Sequence, residues 1–379
     1  MLEHKHCKVS HILKMINQQQ KMFGKRKQLV HICKSTISLF FILFLTSCDS
    51  SNEVKEIEGH VFQGETQGTT YQIILAEDKA NFTNAEIKSI LASFDMSLST
   101  YVDSSIITKL NQSETSIELI DSTGYFKRCY EESKLVYKTS KGAFDPSVFP
   151  LVEGWGFMKN LETPLSKSTV DSILKFVSFE NDKFHSIEFD GNIIRSSKKD
   201  QRFKLDFNAI AQGLSVDVLS EFISSRGHKN FYVEIGGEMR VKGTNRSGEK
   251  WKIGIDAPKV DTSSNGVRQL ENVLSISNKA IATSGNYRKF YVKDGKKYAH
   301  TLDPRTGYPV EHALLSATVI SNNCSTSDAY ATVFMVIGLE ESKKFVKNHP
   351  ELGLEVYLLY DDNNTIKRYH NNSVEAYLN

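Results

Sequence analysis

The sequence lacks an apolar run long enough to cross a bilayer as a helix, which takes about 20 residues. An uncharged run does occur near the amino terminus, from Ser35 to Ser47, but it has only thirteen residues. This length argues against a transmembrane helix. The basic residues Lys25, Arg26, Lys27 and Lys34 precede the run, and a basic region followed by a short apolar region is typical of a secretory signal.

The run ends in Leu45-Thr46-Ser47-Cys48, which resembles the lipobox of bacterial lipoproteins. In that motif the chain is cleaved before a cysteine that is then acylated. We therefore expect a signal peptide at residues 1–47, a lipid on Cys48 and a short solvated tether at residues 48–57. The alternative interpretation is a buried helix with an incidental cysteine.

The chain also lacks a net positive charge once the first 48 residues are set aside. Those residues hold eight Lys and Arg side chains and a single acidic one, whereas the rest of the chain has 39 basic and 44 acidic side chains. A mildly acidic body argues against a general nucleic-acid binder. The basic start is unusually long for a signal, which leaves Met15 and Met22 open as start sites.

Cysteine is scarce, with five in 379 residues. Cys7 and Cys33 would leave with the signal and Cys48 would carry lipid, so Cys129 and Cys324 are the two that remain in the body. Sequence alone does not decide whether these two pair in a disulfide. We interpret each of them as a structural thiol.

The body, residues 58–379, shows no internal repeat and no low-complexity linker between domains. Alternating apolar residues predict strands, and apolar residues at helical spacing predict amphipathic helices. The predicted strands are 68–75, 231–235, 239–243, 251–256 and 312–321, with hairpins around 190–191, 294–295 and 354–369. The predicted helices are 84–97, 122–140, 167–177, 325–337 and 339–348, with one more between Gly213 and Gly227. We therefore expect an α+β fold with mixed, largely antiparallel sheets flanked by helices.

Asp328 and Thr332 form a candidate metal site, because residues four apart lie on one face of a helix. A carboxylate and a hydroxyl are hard oxygen ligands of the kind that Mg²⁺ accepts. The competing interpretation is that Ser325-Thr-Ser-Asp328 is a capping box at the start of the helix. The spacing alone favours the cap.

Four further stretches have the composition of a site, and each also has a plain structural explanation. Asp206–Gly213 precedes a helix whose backbone amides could bind an anion, although Asn208 could simply cap that helix. Gly236-Gly237 lets a backbone approach a phosphate closely, or forms a tight turn. Asp145 could bind a ligand or form a turn. His300 could serve as a general base or as an ordinary surface histidine.

Taken together and in order, these stretches resemble the ApbE family of FAD:protein FMN transferases, many of which are periplasmic lipoproteins. The resemblance covers about residues 60–340. The blocks that carry it are Gly68–Tyr71, Leu98–Tyr101, Gly142–Asp145 with Trp155–Phe157, Leu205–Gly213, Val233–Glu238, Ala282–Arg288, His300–Pro309 and Asp328–Thr332.

The resemblance implies roles for individual residues. Mg²⁺ would be held by the side chains of Asp328 and Thr332 and by the backbone oxygen of Ala209. His300 matches a histidine suspected of assisting the transfer. The chain departs from many members at Gln67, where Met is common, and at Gln212, where Lys or Glu is common. The positions that would line the FAD site are Tyr101, Ala143, Phe144, Asp145, Asp206, Gln212 and Leu302.

The resemblance also implies a fold of two closely joined lobes with FAD between them, and a reaction. FMN would pass from FAD to a threonine hydroxyl of an acceptor protein, in a phosphoester bond, and AMP would leave. Acceptors of this family carry an Asp/Ser-Gly-Ala-Thr-Ser/Thr type sequence and are membrane redox pump subunits or periplasmic flavoproteins. The implied location is the periplasmic face of the bacterial cell envelope, lipid-anchored, with the inner membrane favoured.

Two other functions fit the same residues. A Mg²⁺-dependent FAD pyrophosphatase would use water in place of threonine and release free FMN and AMP. A non-catalytic FAD-binding lipoprotein would store or deliver FAD, and loss of Asp328 or Thr332 would have favoured it.

Overall fold

The computed structural model of the chain describes residues 59–156, 165–180, 184–258, 269–286, 290–293, 296–299 and 301–378. Several predicted features therefore lie outside the described residues. They are the signal, Cys48 and the tether, together with Phe157, Tyr287, Arg288, Asp294, Gly295 and His300.

The described residues form helices and strands that follow the predicted order closely. The helices are α1 (Asn84–Leu98), α2 (Ile106–Gln112), α3 (Tyr125–Thr139), α4 (Phe149–Gly154), α5 (Lys167–Leu174), α6 (Ala211–Ser225) and α7 (Cys324–Asn348). The strands are β1 (His60–Thr66), β2 (Thr69–Leu75), β3 (Ser116–Ile120), β4 (His185–Asp190), β5 (Ile193–Lys198), β6 (Phe231–Ile235), β7 (Glu238–Lys242), β8 (Trp251–Asp256), β9 (Leu270–Ile276), β10 (Lys279–Gly285), β11 (Phe290–Lys293), β12 (Lys296–Ala299), β13 (Leu302–Asp303), β14 (Tyr308–Pro309), β15 (Leu314–Ser321), β16 (Glu355–Asp362) and β17 (Thr365–His370).

The centre of the body is an eight-stranded sheet in the order β1-β2-β6-β7-β10-β15-β16-β17. Each pairing between these neighbours is antiparallel. Smaller sheets join β3, β5 and β4, and pair β8 with β9, β11 with β12, and β13 with β14. The prediction of an α+β fold with antiparallel sheets and helices is confirmed.

The central sheet is covered on both faces because its strands alternate apolar side chains between them. On β16, Val356 and Leu358 pack with the helices, whereas Tyr357 and Leu359 pack with the β8–β9 pair and the carboxyl-terminal residues. Helices α6 and α7 contact each other and lie on the first of these faces. The side chains that precede α6, and those of α7, therefore meet near the middle strands.

Two helix boundaries, the start of α1 and the interruption of α7 at Gly338, coincide with local sequence signals. Helix α1 begins with a complete capping box, which Thr83 and Glu86 form. The two helices predicted around Gly338 are both present, and Gly338 between them has a φ of 75° that interrupts the helical backbone.

Two further features complete the body. Within the described residues, no helix combines the length and apolar character needed to span a bilayer. Cys129 and Cys324 are buried free thiols, which confirms their interpretation as structural cysteines.

Candidate active site

The centre of the candidate site is the contact between the start of α6 and the first turns of α7. The Gly213 amide donates a hydrogen bond of 3.0 Å to the Asp328 Oδ2. A Cβ at position 213 would lie 2.4 Å from the Cys324 carbonyl oxygen and 2.8 Å from the Asp328 Cβ. Only glycine therefore lets the two helices approach this closely.

The prediction that Asp328 caps its own helix is wrong. Helix α7 begins at Cys324, and Asn323 occupies its cap position without a side-chain hydrogen bond. The first two amides, those of Cys324 and Ser325, instead donate to the two carboxylate oxygens of Asp217, each at 2.9 Å. The Asp217 carboxylate of α6 thus accepts the hydrogen bonds of the free amides at the start of α7. Asp328 is not needed for this role and can face the site.

The segment before α6 supplies a free backbone oxygen. In the part of the chain that the structure describes, no group donates a hydrogen bond to the Ala209 carbonyl oxygen, because the Gly213 amide donates to Asp328 instead. Asn208 is not the helix cap, since Ile210 holds that position. The backbone amide of Asn208 donates to Asp206 Oδ1 at 2.7 Å, and this hydrogen bond stabilises the turn that contains Ala209.

Asp328 and Thr332 share one face of α7, as the spacing predicts. The Thr332 hydroxyl lies 3.2 Å from the Ser284 Oγ at the end of β10. Asp328 is 6 % exposed, and burial raises the pKa of its carboxyl group to about 7. Among the described residues, Asp328 forms no ion pair.

Asp145 and Asp206 lie on neighbouring loops. The Asp206 amide donates to the Pro146 carbonyl oxygen at 2.7 Å, which links the Gly142–Asp145 loop to the segment that carries Ala209. Asp145 accepts bonds from the Ser147 amide and hydroxyl at 2.7 and 2.6 Å. Burial raises the pKa of each of these two carboxyl groups to about 6.

The Gly236-Gly237 turn closes the hairpin of β6 and β7 next to α6. The Gln212 Nε2 donates to the Ile235 carbonyl oxygen at 2.9 Å, and a Cβ on Gly236 would lie only 1.8 Å from that nitrogen. Gly236 and Gly237 have φ values of 62° and 114°, which favour glycine. A Cβ on Gly237 would meet no atom within 4 Å, so the turn borders open space.

The remaining predicted residues fall in two places. Leu302 is buried against Leu151 and Trp155, and Ala143 and Phe144 are buried in the main core, so these three contribute backbone and shape more than exposed side chains. A cavity of about 240 Å³ joins Asp145 to the turn at Arg305, which follows Leu302. Tyr101 is 74 % exposed in the loop after α1.

The donor set fits a hard divalent cation. Within the described residues there is no cluster of three or more His, Cys, Asp or Glu side chains suited to a metal. The predicted set does not need one, because it consists of a buried carboxylate, a hydroxyl and an unpaired carbonyl oxygen, which are ligands of the type that Mg²⁺ prefers. His300 lies outside the described residues, so its role stays a prediction.

Three site features were not predicted. Asp217 orients α7 from inside α6, and no local sequence pattern marks it. The Ser284 hydroxyl contacts the Thr332 hydroxyl, although the two residues are 48 positions apart in the sequence. Glu238 was visible as the residue after Gly236-Gly237, a place where a side chain at a strand end can reach a ligand.

The raised pKa of Asp145 leads to a pH-dependent stability. Because its folded pKa of about 6 exceeds the ordinary value of 3.8, its contribution to stability is full below about pH 4 and is lost as the pH rises through 6. We expect the free energy of unfolding of the FAD-free chain to fall between pH 5 and pH 7.5, by about 1 kcal/mol more in the wild type than in Asp145→Asn. Urea denaturation at both pH values measures this. The exposed Asp171→Asn should keep the wild-type dependence, and an equal dependence in Asp145→Asn would contradict the argument.

The ApbE family model matches residues 67–358 of the chain. A protein of Vibrio cholerae named FAD:protein FMN transferase is 31 % identical over 350 residues, which cover 90 % of this chain and 98 % of that protein. A protein of the same name from Haemophilus influenzae is 29 % identical over 333 residues, or 86 % of this chain and 92 % of that protein.

Solved structures show the same likeness. The structure of the flavin transferase ApbE from Vibrio cholerae has a TM-score of 0.71 and 30 % identity, covering 84 % of this chain and 99 % of that one. The apo form of the Pseudomonas stutzeri flavinyl transferase ApbE has a TM-score of 0.72 and 25 % identity, covering 84 % and 96 %.

Proposed function

This chain belongs to the ApbE family, and we propose that it is an FAD:protein FMN transferase that uses Mg²⁺ to attach FMN to a threonine of an acceptor protein. The acceptor carries the Asp/Ser-Gly-Ala-Thr-Ser/Thr type sequence. The observation that carries the proposal is the donor set at the α6–α7 contact. Within the described residues, Asp328 is buried there without an ion-pair partner and the Ala209 carbonyl oxygen accepts no hydrogen bond.

The reaction breaks the phosphoanhydride bond between the two phosphates of FAD and forms a phosphoester bond to threonine. The threonine Oγ attacks the FMN-side phosphorus of FAD, the bond from that phosphorus to the bridging oxygen breaks, and AMP leaves with that oxygen. The threonine proton goes to a base, for which His300 is the proposed residue. The same attack by water would give free FMN and AMP.

Asp328, Thr332 and the Ala209 carbonyl would hold the cation. When bound, Mg²⁺ neutralises charge on the phosphate oxygens and positions them. Hydrogen bonds within the protein hold the proposed ligands in fixed positions. Asp217 fixes the start of α7, and the Gly213 amide orients the Asp328 carboxylate through Oδ2.

FAD would lie along the elements that meet at this contact. The open space beside Gly237 lets phosphate oxygens come close to the backbone. The loop of Ala143 to Asp145, together with Asp206, Gln212 and Leu302, forms the surrounding wall. Tyr101 offers an exposed aromatic ring on which a flat ring of FAD can stack.

The role of Tyr101 can be isolated because its side chain is largely exposed. We expect Tyr101→Ala to raise the Kd for FAD about fivefold, since an aromatic stacking contact is worth about 1 kcal/mol. Its free energy of unfolding should change by less than about 0.5 kcal/mol, as is usual for exposed positions. FAD fluorescence titration and urea denaturation give the two quantities. Tyr101→Phe keeps the ring and serves as the control, and unchanged FAD affinity in Tyr101→Ala would exclude the stacking role.

The function itself is tested by incubating the full-length chain with FAD, Mg²⁺ and an acceptor domain that carries the Gly-Ala-Thr sequence. The intact mass of the acceptor and the AMP released are both measured. A gain of one FMN on the acceptor, lost when its threonine is replaced by valine, supports the transferase. AMP and free FMN without an adduct would indicate the pyrophosphatase, and bound FAD with neither product would leave a binding protein.

The chain is further proposed to be exported and held at the periplasmic face of the envelope, with the inner membrane favoured, through an acylated Cys48. The basic region, short apolar run and lipobox-like end support this proposal. Intact mass after expression in a bacterial host tests it, because a mature chain without lipid on Cys48 would contradict the anchor.

A further inference from the structure

Glu238 is a half-buried residue whose carboxylate the proposed reaction does not yet use. It is the first residue of β7 and pairs with Ile235 across the Gly236-Gly237 turn. Its Oε2 is inaccessible to solvent and accepts no hydrogen bond from the residues that the structure describes. Within the described part of the chain it also forms no ion pair. An ionised carboxylate in such a place costs several kcal/mol unless a cation or a donor meets it.

The fold places Glu238 beside the first turns of α7. The next residue of its strand, Met239, pairs with Ile281 of β10. The Cys324 thiol, at the start of α7, donates to the Ile281 carbonyl oxygen at 3.8 Å. Asp328 follows four residues later on the same helix, so Glu238 and Asp328 approach one another from a strand and a helix.

The electrostatics agree with this placement. Burial raises the pKa of Glu238 well above its usual value, and the charge of Asp328 raises it further. The pKa of the Cys324 thiol, raised chiefly by burial, is raised further by both carboxylates. Two acidic groups therefore converge in a region where Arg240, the nearby cation, is already bound to Asp217 at 2.7 Å.

We propose that Glu238 is a further carboxylate of the divalent-cation site formed by Asp328, Thr332 and Ala209, and that its Oε2 reaches the ion directly or through one bound water. This inference rests on the metal site of the proposed function. Two carboxylates balance the two positive charges of the ion. Glu238 would thereby both strengthen binding of the cation and connect it to the Gly236-Gly237 turn, where phosphate oxygens can approach.

The test measures Mn²⁺ binding by the full-length chain without FAD, from the paramagnetic resonance signal of the free ion. We expect Glu238→Gln to bind Mn²⁺ about 10- to 100-fold more weakly than the wild type, which is the usual effect of removing an outer partner of a metal site. Glu188→Gln, an exposed glutamate on β4, is the matched control and should bind as the wild type does. Circular dichroism verifies that each variant is folded.

Further outcomes separate this inference from the proposed metal site. If Asp328→Ala loses Mn²⁺ binding and Glu238→Gln keeps wild-type affinity, the role of Glu238 is overturned and the metal site stands. If the wild type binds no Mn²⁺, both are overturned. Should Glu238→Gln unfold, Glu238→Asp decides the matter, because the shortened carboxylate should weaken Mn²⁺ binding and unchanged affinity would refute the role.

Discussion

Replacing Asp328 by alanine should abolish FMN transfer, with a fall in rate of at least about 100-fold, because a correctly held metal ion contributes several kcal/mol to transition-state stabilisation and each 1.36 kcal/mol is a factor of ten. Asp328 is the one carboxylate in the predicted donor set, and it is 6 % exposed. The acceptor mass after reaction with FAD and Mg²⁺ gives the transfer rate. Mg²⁺ should also stop raising the Tm of this variant, since the site that binds it is gone.

Asp328→Asn separates charge from shape. The side-chain oxygen of asparagine can still accept the hydrogen bond from the Gly213 backbone amide. The α6–α7 contact therefore stays in place while the negative charge is removed. We expect this variant to be folded and as inactive in transfer as Asp328→Ala. Transfer at the wild-type rate with wild-type dependence on Mg²⁺ in either variant would refute the metal site.

Replacing Asp217 by alanine should have the largest effect on stability, a loss of about 3–5 kcal/mol in the free energy of unfolding, as for other broken buried ion pairs. Asp217 is fully buried, and its carboxylate accepts from Arg240 and from the Cys324 and Ser325 amides. Alanine leaves all three donors without a partner. Urea denaturation measures the loss.

The exposed Asp171→Ala is the control for this experiment. Asp171 contacts Lys167 on the surface of α5, and such a pair is worth about 0–1 kcal/mol. Asp217→Asn keeps one acceptor oxygen and should fall between alanine and the wild type. A loss below about 1 kcal/mol in Asp217→Ala would show that the start of α7 does not depend on this carboxylate.

Much of the fold was predictable because its signals are local. The capping box at Thr83 and the alternation along residues 231–235 define their elements without help from the rest of the chain. Contacts between distant segments were not predictable. The Asp217 carboxylate caps helix α7, which begins 107 residues later. The Ser325–Asp328 sequence therefore resembles a capping box although Asp328 does not cap this helix.

The candidate site divides in the same way. Asp328 and Thr332 share a helix face, which their spacing of four residues predicts. Within the described residues, the Ala209 carbonyl oxygen accepts no hydrogen bond and the Glu238 Oε2 is buried. Both features result from packing between elements, which local patterns do not encode. The family resemblance supplied Ala209, and Glu238 required the structure.

The hydrogen bond between Gly213 and Asp328 joins residues that are 115 positions apart. Closing a loop of that length is slow compared with forming a helix or hairpin, because the entropy of loop closure is lost before the contact can offset it. The proposed cation site depends on this long-range contact, and we therefore expect it to be absent until α7 has packed against α6. We expect a nascent chain that has not reached this stage to lack the proposed site for FAD and Mg²⁺.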